Sequence, residues 1–478
     1  MSSHELHYLP ATEALAAFRS RTLSPVELVD AVIARAGAVE PMVNALVHTR
    51  FEQARAKARA AEARYMPGGD EPRPLEGLPV AIKEEEPIAG QPWTLGSLIY
   101  ADQVAQYTSE FARRQIEAGA IVHARTTTPE FSCAGFTHTR LWGVTRNPFN
   151  LELGVGGSSG GSAAALASGT ATLASGSDIG GSIRIPAAAC GVVGFKPPYG
   201  RVPCDPPYNL DTYCHCGPLA RTVADCALYA NVVSGFYAGD IATLRERVTL
   251  PERFAGIGDL RVALSLDLGD WPIDDDVRAN TLAVADALRL AGAVVDQVDL
   301  RLPRADIMRA TAIHFANGFT ADIGREVNAH PDLVNPYVAD AVRWSRELSA
   351  GADVATGLAL EAKLYEPVGE LLERYDALVL PASCTAGLDA GDDYVGRTIT
   401  AGGIELDNHL ENFLTPVFNI MSRCPVLAVP SGVGARNAPT GVQIAGRTYD
   451  DLTVFRIGAA LEAVAPWDRR PQLEEAAA

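Results

Sequence analysis

The feature that most limits what this chain can fold into is a run of glycine and serine between residues 154 and 200. Twelve of the 43 glycines fall there, in about a tenth of the 478 residues. Backbone without Cβ atoms at that density either adopts conformations other residues avoid or brings its N–H groups close to a ligand. Two pieces concentrate the signal. They are Gly156-Gly157-Ser158-Ser159-Gly160-Gly161-Ser162 and Asp178-Ile179-Gly180-Gly181-Ser182-Ile183-Arg184. A flexible loop, or close helix-on-sheet packing, uses glycine in the same way, so composition alone does not decide.

Three motif templates test the block. The dinucleotide fingerprint fits Gly154 and Gly156 but meets Ser159 in its third place, and no Gly-Lys-Ser/Thr triplet ends a phosphate loop. A nucleophile elbow does match at Gly156-Gly157-Ser158-Ser159-Gly160. It needs a later histidine, with His215, His314, His330 and His409 as candidates, and none stands in a special context.

The flanking text alternates helix and strand. Ser24-Pro25-Val26-Glu27 is a capping box with proline at the first helical position. Leu28, Val29, Val32, Ile33 and Ala36 then form one apolar face before Pro41 ends the helix. Residues 50–65 read as an exposed helix, residues 78–82 as a strand with Lys83 at its carboxyl end, and residues 120–124 as another strand. Thr222 with Asp225 opens a helix, and residues 277–290 are helical. Strands follow at 260–264, 294–298, 377–380, 426–429 and 441–445. This alternation predicts an α/β fold, a large, mixed, twisted central sheet covered by helices on both faces. One domain spans 1–478, with an N-terminal helical part at 1–70, a core at 77–234 and a C-terminal α/β part at 257–478. The polar stretch 235–256 is the nearest thing to a seam.

Charge and cysteine use narrow the class. Forty basic against 58 acidic side chains leave −18 at pH 7, which argues against a nucleic-acid or anionic-membrane surface. No run of eighteen apolar residues occurs, and the first residues lack the basic and apolar regions of a secretory signal. Eight irregularly spaced cysteines are not a disulfide framework in so long a chain. The expectation is a cytoplasmic enzyme.

The ordered pieces resemble the amidase signature family. The matching text is Gly77-Leu78-Pro79-Val80-Ala81-Ile82-Lys83, then Thr145-Arg146-Asn147-Pro148, the Gly/Ser block, and Asp178 through Pro186. Cys190-Gly191-Val192-Val193-Gly194-Phe195-Lys196-Pro197 and Tyr199-Gly200-Arg201-Val202-Pro203 continue it, and Gly441-Val442-Gln443-Ile444 looks like a closing strand. The resemblance implies the fold of that family and a Ser–Ser–Lys triad. Ser182 is then the nucleophile, Ser158 the bridging serine after a cis peptide, and Lys83 the base. Ser158 stands 75 residues after Lys83, and Ser182 24 residues after Ser158, as the family pattern places them. Backbone N–H groups of Ile179, Gly180, Gly181 and Ser182 would form the oxyanion hole, with Ser159, Ser177, Asp178 and Arg184 in support. Ser177 replaces the family's usual threonine and keeps the hydroxyl.

Elementary chemistry agrees with those roles. A serine hydroxyl needs a base within hydrogen-bond reach, and a lysine can serve only when neutral. From a reference pKa of ~10.4, working near pH 7–8 requires a fall of ~2–3 units, which burial can supply. Consecutive glycines let several N–H groups converge without side-chain clash.

Two features depart from this picture. Glu84, Glu85 and Glu86 follow the lysine where the family commonly has aspartate. A carboxylate facing Lys83 would keep it charged, but strand alternation turns Glu84 away, and the run reads as a solvated edge. Cys214-His215-Cys216 resembles a metal fragment without a second ligand pair and makes a poor zinc site. Asp178 and Arg184 read as a structural ion pair. Residues 208–215 read as pocket wall, whereas Trp93, a lone aromatic, reads as core.

The resemblance therefore implies an amidase acting on a small-molecule amide, with esters, anilides or carbamates as further substrates, which makes it a urethanase candidate. Neither cofactor nor metal is called for, and a homodimer is compatible with the reading. The alternative is the glutamine-hydrolysing A subunit of a tRNA-dependent amidotransferase. Such a protein carries a Leu-Asp-Gln-Ile-Gly-Pro-like stretch where this chain reads Asp211-Thr212-Tyr213-Cys214-His215-Cys216-Gly217-Pro218. An esterase using Ser158 with a histidine, and a binding protein on an inactive amidase fold, are the remaining readings. Segments near 205–216, 310–345 and 385–415 are expected to build the pocket.

Overall fold

The computed structural model describes residues 3–473. Eleven strands hydrogen-bond into one sheet: β1 Leu46–Val47, β2 Pro79–Lys83, β3 Ile121–Thr126, β4 Leu173–Asp178, β5 Val193–Lys196, β6 His215–Ala220, β7 Arg261–Leu264, β8 Val294–Gln297, β9 Ala377–Pro381, β10 Val426–Val433 and β11 Pro439–Gly446. Their spatial order is β1-β3-β2-β4-β6-β5-β10-β11-β9-β7-β8. The pairs β3–β2–β4 and β9–β7–β8 are parallel, and the ladders between them are antiparallel. The sheet is therefore mixed, as its alternating text predicts.

Strands β2, β3 and β9 are buried at every residue. The near-continuous apolar text of β2 and β9, Pro-Val-Ala-Ile-Lys and Ala-Leu-Val-Leu-Pro, is that of strands covered on both faces. One apolar cluster joins Val80, Ile82 and Leu427 to the N-terminal and C-terminal helices, including Leu15, Phe18, Phe455 and Leu461. Another joins Leu378, Leu380 and Ala445 to helices between residues 304 and 374, through Ile307, Val338 and Val368. No helix among the described residues is long and apolar enough to cross a membrane.

The helix opened by Ser24 runs from Pro25 to Val43 and contains Pro41 rather than ending at it. Proline there removes only one donor in the last turn, and Asn44 in the left-handed conformation closes the helix instead.

Candidate active site

Lys83 ends β2, which runs parallel to both its neighbours, so the three carboxyl ends open at one edge of the sheet. The lysine is completely buried. Its backbone N–H donates to Ser175 Oγ at 2.8 Å. Its Nζ donates to Ser158 Oγ at 2.7 Å and to Ser177 Oγ at 2.9 Å. Glu85 Oε2 lies 3.0 Å from the same nitrogen. An ammonium has three N–H donors, and these three oxygens take them all.

Ser158 follows a cis peptide bond with Gly157 and precedes the helix Gly160–Ser168. All nine residues of that helix are buried, and only Leu166 is larger than serine. Small side chains let it lie close on β2, β3 and β4. Ser159 N–H donates to the Ser182 carbonyl at 3.1 Å, which ties the two Gly/Ser loops together.

Ser182 stands in the turn between β4 and the helix Arg184–Cys190. Asp178 and Arg184, both wholly buried, pair across that turn at 2.8 Å. Asp178 also accepts the Gly181 N–H at 2.9 Å, the Ile183 N–H at 3.2 Å and Asn419 Nδ2 at 2.8 Å. Arg184 donates onward to the Thr415 carbonyl, Gln443 Oε1 and Asn419 Oδ1 at 2.8, 2.6 and 2.7 Å. Burial alone would raise the Asp178 pKa, but the guanidinium and these donors hold its carboxyl well below the ordinary aspartate range.

One of the four N–H groups expected to form the oxyanion hole already has a partner within the turn. The Gly181 N–H is already given to Asp178, so it is not free for a ligand. The N–H groups of Ile179, Gly180 and Ser182 make no hydrogen bond among the described residues.

The carboxylates after Lys83 also differ from expectation, because the chain turns immediately after β2 and strand alternation no longer applies. Arg125, fully buried on β3, pins that turn by donating to the carbonyls of Ile82, Lys83, Glu84 and Glu86. Glu84 is buried and accepts the N–H groups of Thr94 and Leu95 at 2.5 and 2.9 Å. Glu85 folds back onto Lys83 and accepts a second bond from Ser132 Oγ. Burial would raise the Glu85 pKa, but the Lys83 ammonium and neighbouring hydroxyls keep it below its usual value. Its other oxygen, Oε1, is buried without a partner among the described residues. Burial and the nearby Glu85 push Glu86 up to about 8.

The four candidate histidines are engaged away from Ser158. His215 bonds the Tyr213 and Ser422 carbonyls at 2.7 and 3.2 Å, His314 meets Asp211 at 2.6 Å, and His409 accepts from the Gly135 N–H at 3.4 Å. His330 lies 3.9 Å from Glu326. Cys216 lies 3.5 Å from Cys204, while the His215 ring turns away to backbone carbonyls.

A cavity of about 340 Å³ opens on Ser158, Ser177 and Glu85. Trp93, Tyr100, Phe131, Tyr208, Phe319 and Ile323 supply much of its wall. Trp93 is thus a wall residue rather than core. A narrow annex of about 30 Å³ shares Ile179, Ser132 and Phe319 with the cavity and opens on Ser182 and Gly180. Residues 385–389 line a separate cavity instead. Sequence reasoning missed Ser132, Thr415 and Asn419, which carry no motif of their own and reach the site only through the fold.

Comparison with known proteins identifies the family. The family model described as Amidase matches residues 27–455. The chain is 34% identical to an acylamidase of Rhodococcus erythropolis, covering 98% of each chain. It is 31% identical to the A subunit of the glutamyl-tRNA(Gln) amidotransferase of Roseiflexus sp. (strain RS-1), covering 97% of this chain and 98% of that one. Among solved structures, a bacterial aryl acylamidase of the amidase signature enzymes superposes with a TM-score of 0.88 at 28% identity, covering 97% of both chains.

Proposed function

The chain belongs to the amidase signature family of hydrolases acting on carbon–nitrogen bonds in non-peptide amides, and on that premise we propose that it cleaves a small neutral amide through an acyl-enzyme on Ser182. Ser182 Oγ attacks the carbonyl carbon and gives its proton through Ser158 to neutral Lys83. The N–H groups of Ile179, Gly180 and Ser182 are the donors left for the oxyanion. Collapse breaks the carbon–nitrogen bond as Lys83 returns the proton, through Ser158, to the departing amine. Water then repeats the sequence on the ester and frees the acid.

The observation that carries this reading is the buried 2.7 Å bond from Lys83 Nζ to Ser158 Oγ at the wall of an apolar cavity. Substrate charge follows from the same wall. Glu85, Glu86, Asp205, Asp322 and Glu326 line it, and no lysine or arginine among the described residues does. Free glutamine carries an ammonium and a carboxylate, and the wall offers no lysine or arginine among the described residues to pair the carboxylate, which favours a stand-alone amidase over the amidotransferase reading. Esters, anilides and carbamates place a similar carbonyl against the serine and belong in the same panel.

The test is fluorophosphonate labelling read by mass spectrometry, alongside turnover of neutral amides, esters, carbamates and glutamine. The adduct is expected on Ser182 and absent in Ser182→Ala. An adduct on Ser158 would replace this mechanism with the elbow reading, and glutamine as the best substrate would restore the amidotransferase reading.

A further inference from the structure

Lys83 has to shed a proton to act as a base, yet the structure surrounds its amine with three oxygens, one of them a carboxylate. We propose that Glu85 is a positioning residue for this reaction. It holds Lys83 Nζ against Ser158 and Ser177, and its charge sets the pH at which the amine becomes free to accept the serine proton. This rests on Lys83 being the base, as proposed above.

The geometry gives Glu85 few other tasks. Its Oε2 takes Lys83 and Ser132, and its Oε1 is buried with no donor among the described residues. An oxygen 3.0 Å from Nζ stabilises the ammonium over the free amine. The direction of the Glu85 pKa, below its usual value because of Lys83, is the reciprocal of that stabilisation.

Charged and titratable neighbours act on the same pair. Arg125 on β3 donates to the carbonyls of Lys83 and Glu84, and its charge opposes the ammonium. Glu86 is pushed up to about 8, by burial first and then by the charge of Glu85, so it gains its own charge only as pH rises through that value. The Cys214 thiol is pushed up by its hydrogen bond with Cys204 and by burial, and the Tyr208 phenol by burial, with Glu85 a smaller influence on each, so both are neutral near pH 7. Among these groups, Glu85 alone is a carboxylate within ion-pair distance of Nζ.

The experiment is the pH dependence of kcat/KM on one neutral amide for wild type, Glu85→Gln, Glu85→Asp and Glu86→Gln. Glu85→Gln removes the charge while keeping the shape, so the acid limb should move down by ~1–3 pH units. Glu85→Asp keeps the charge and should stay nearer wild type. Glu86→Gln reveals what Glu86 alone adds to the limb. An acid limb that stays put, or rises, in Glu85→Gln overturns the proposal. If that variant does not turn over, the pH dependence of fluorophosphonate labelling of Ser182 reads the same limb. Lys83→Ala separates the two readings. Should it keep wild-type amide hydrolysis, the lysine-base mechanism fails, whereas an inactive Lys83→Ala with an unmoved Glu85→Gln limb refutes Glu85 alone.

Discussion

Two cation–carboxylate pairs are buried within the same site, and they are finished differently. In the turn that carries Ser182, Asp178 and Arg184 spend their oxygens and N–H groups on each other, on two backbone N–H groups of the turn, and on Thr415, Asn419 and Gln443. At the end of β2, Lys83 and Glu85 are bordered by serine hydroxyls and a cavity, and one carboxylate oxygen has no partner among the described residues. The first arrangement fixes a backbone. The second keeps a proton within reach of groups that can exchange it. Two buried ion pairs of similar length thus differ in their surroundings, and the surroundings are what set a scaffold apart from the proposed centre of proton transfer.

The contrast breaks most directly at Lys83. Lys83→Ala should lower kcat/KM for amides by ~10²–10⁴, and for matched esters by less, because an alkoxide needs protonation less than an amine does. Lys83→Arg should be no better, since a guanidinium does not give up its proton in this pH range. Steady-state kinetics on both substrates read the result. Amide turnover retained in Lys83→Arg would make this pair a scaffold too.

Asp178 should show the opposite profile, with the loss appearing in stability. Asp178→Asn strands the Arg184 charge, and urea unfolding should show a loss of ~3–5 kcal/mol. The sign of the pH effect follows from the depressed Asp178 pKa. Its stabilisation is complete above the unfolded value of about 3.9 and is lost as pH falls below that toward the folded value. Wild-type stability should therefore drop on acidification below about pH 4, and the variant's curve should be flatter there.

Neighbouring glycines sharpen the picture of the scaffold at a smaller scale. Gly181 has φ +124°, and a Cβ there would sit 1.9 Å from Thr415 Oγ1. Gly181→Ala should cost ~1–3 kcal/mol in thermal or urea unfolding. Gly180 has only Phe315 near, at 3.6 Å, so Gly180→Ala should melt as wild type does. Equal melting of the two variants would mean that the turn yields more easily than its hydrogen bonds suggest.

Much of this site is legible in sequence because its chemistry sits in short contiguous runs. Lys83 at a strand end, Ser158 among glycines and Ser182 beside Gly180 and Gly181 can each be read within a few residues. The Asp178–Arg184 pair is equally local, six residues apart. Glu85 is not legible, because its direction depends on Arg125 gathering four carbonyls from a neighbouring strand. Trp93 and Ser132 escape for a similar reason, since one faces the cavity from an irregular loop and the other from a single 3-10 turn too short to show periodicity. The helices Arg304–Asn317 and Phe319–Ala329 are equally hard to read. The first has apolar residues on several sides, buried at Ile307, Met308, Ala310, Ala312 and Ile313, which blurs the helical stripe.

The partners of Arg184 set an order on how this molecule comes into being. Thr415, Asn419 and Gln443 lie 231, 235 and 259 residues further along the chain. On the ribosome, the serine turn is therefore synthesised long before the side chains that lock it. A nascent chain stopped short of residue 415 contains every residue of the proposed triad but not the clamp around its nucleophile. Contacts so distant in sequence form slowly, and competence for catalysis should arrive as a late event of folding.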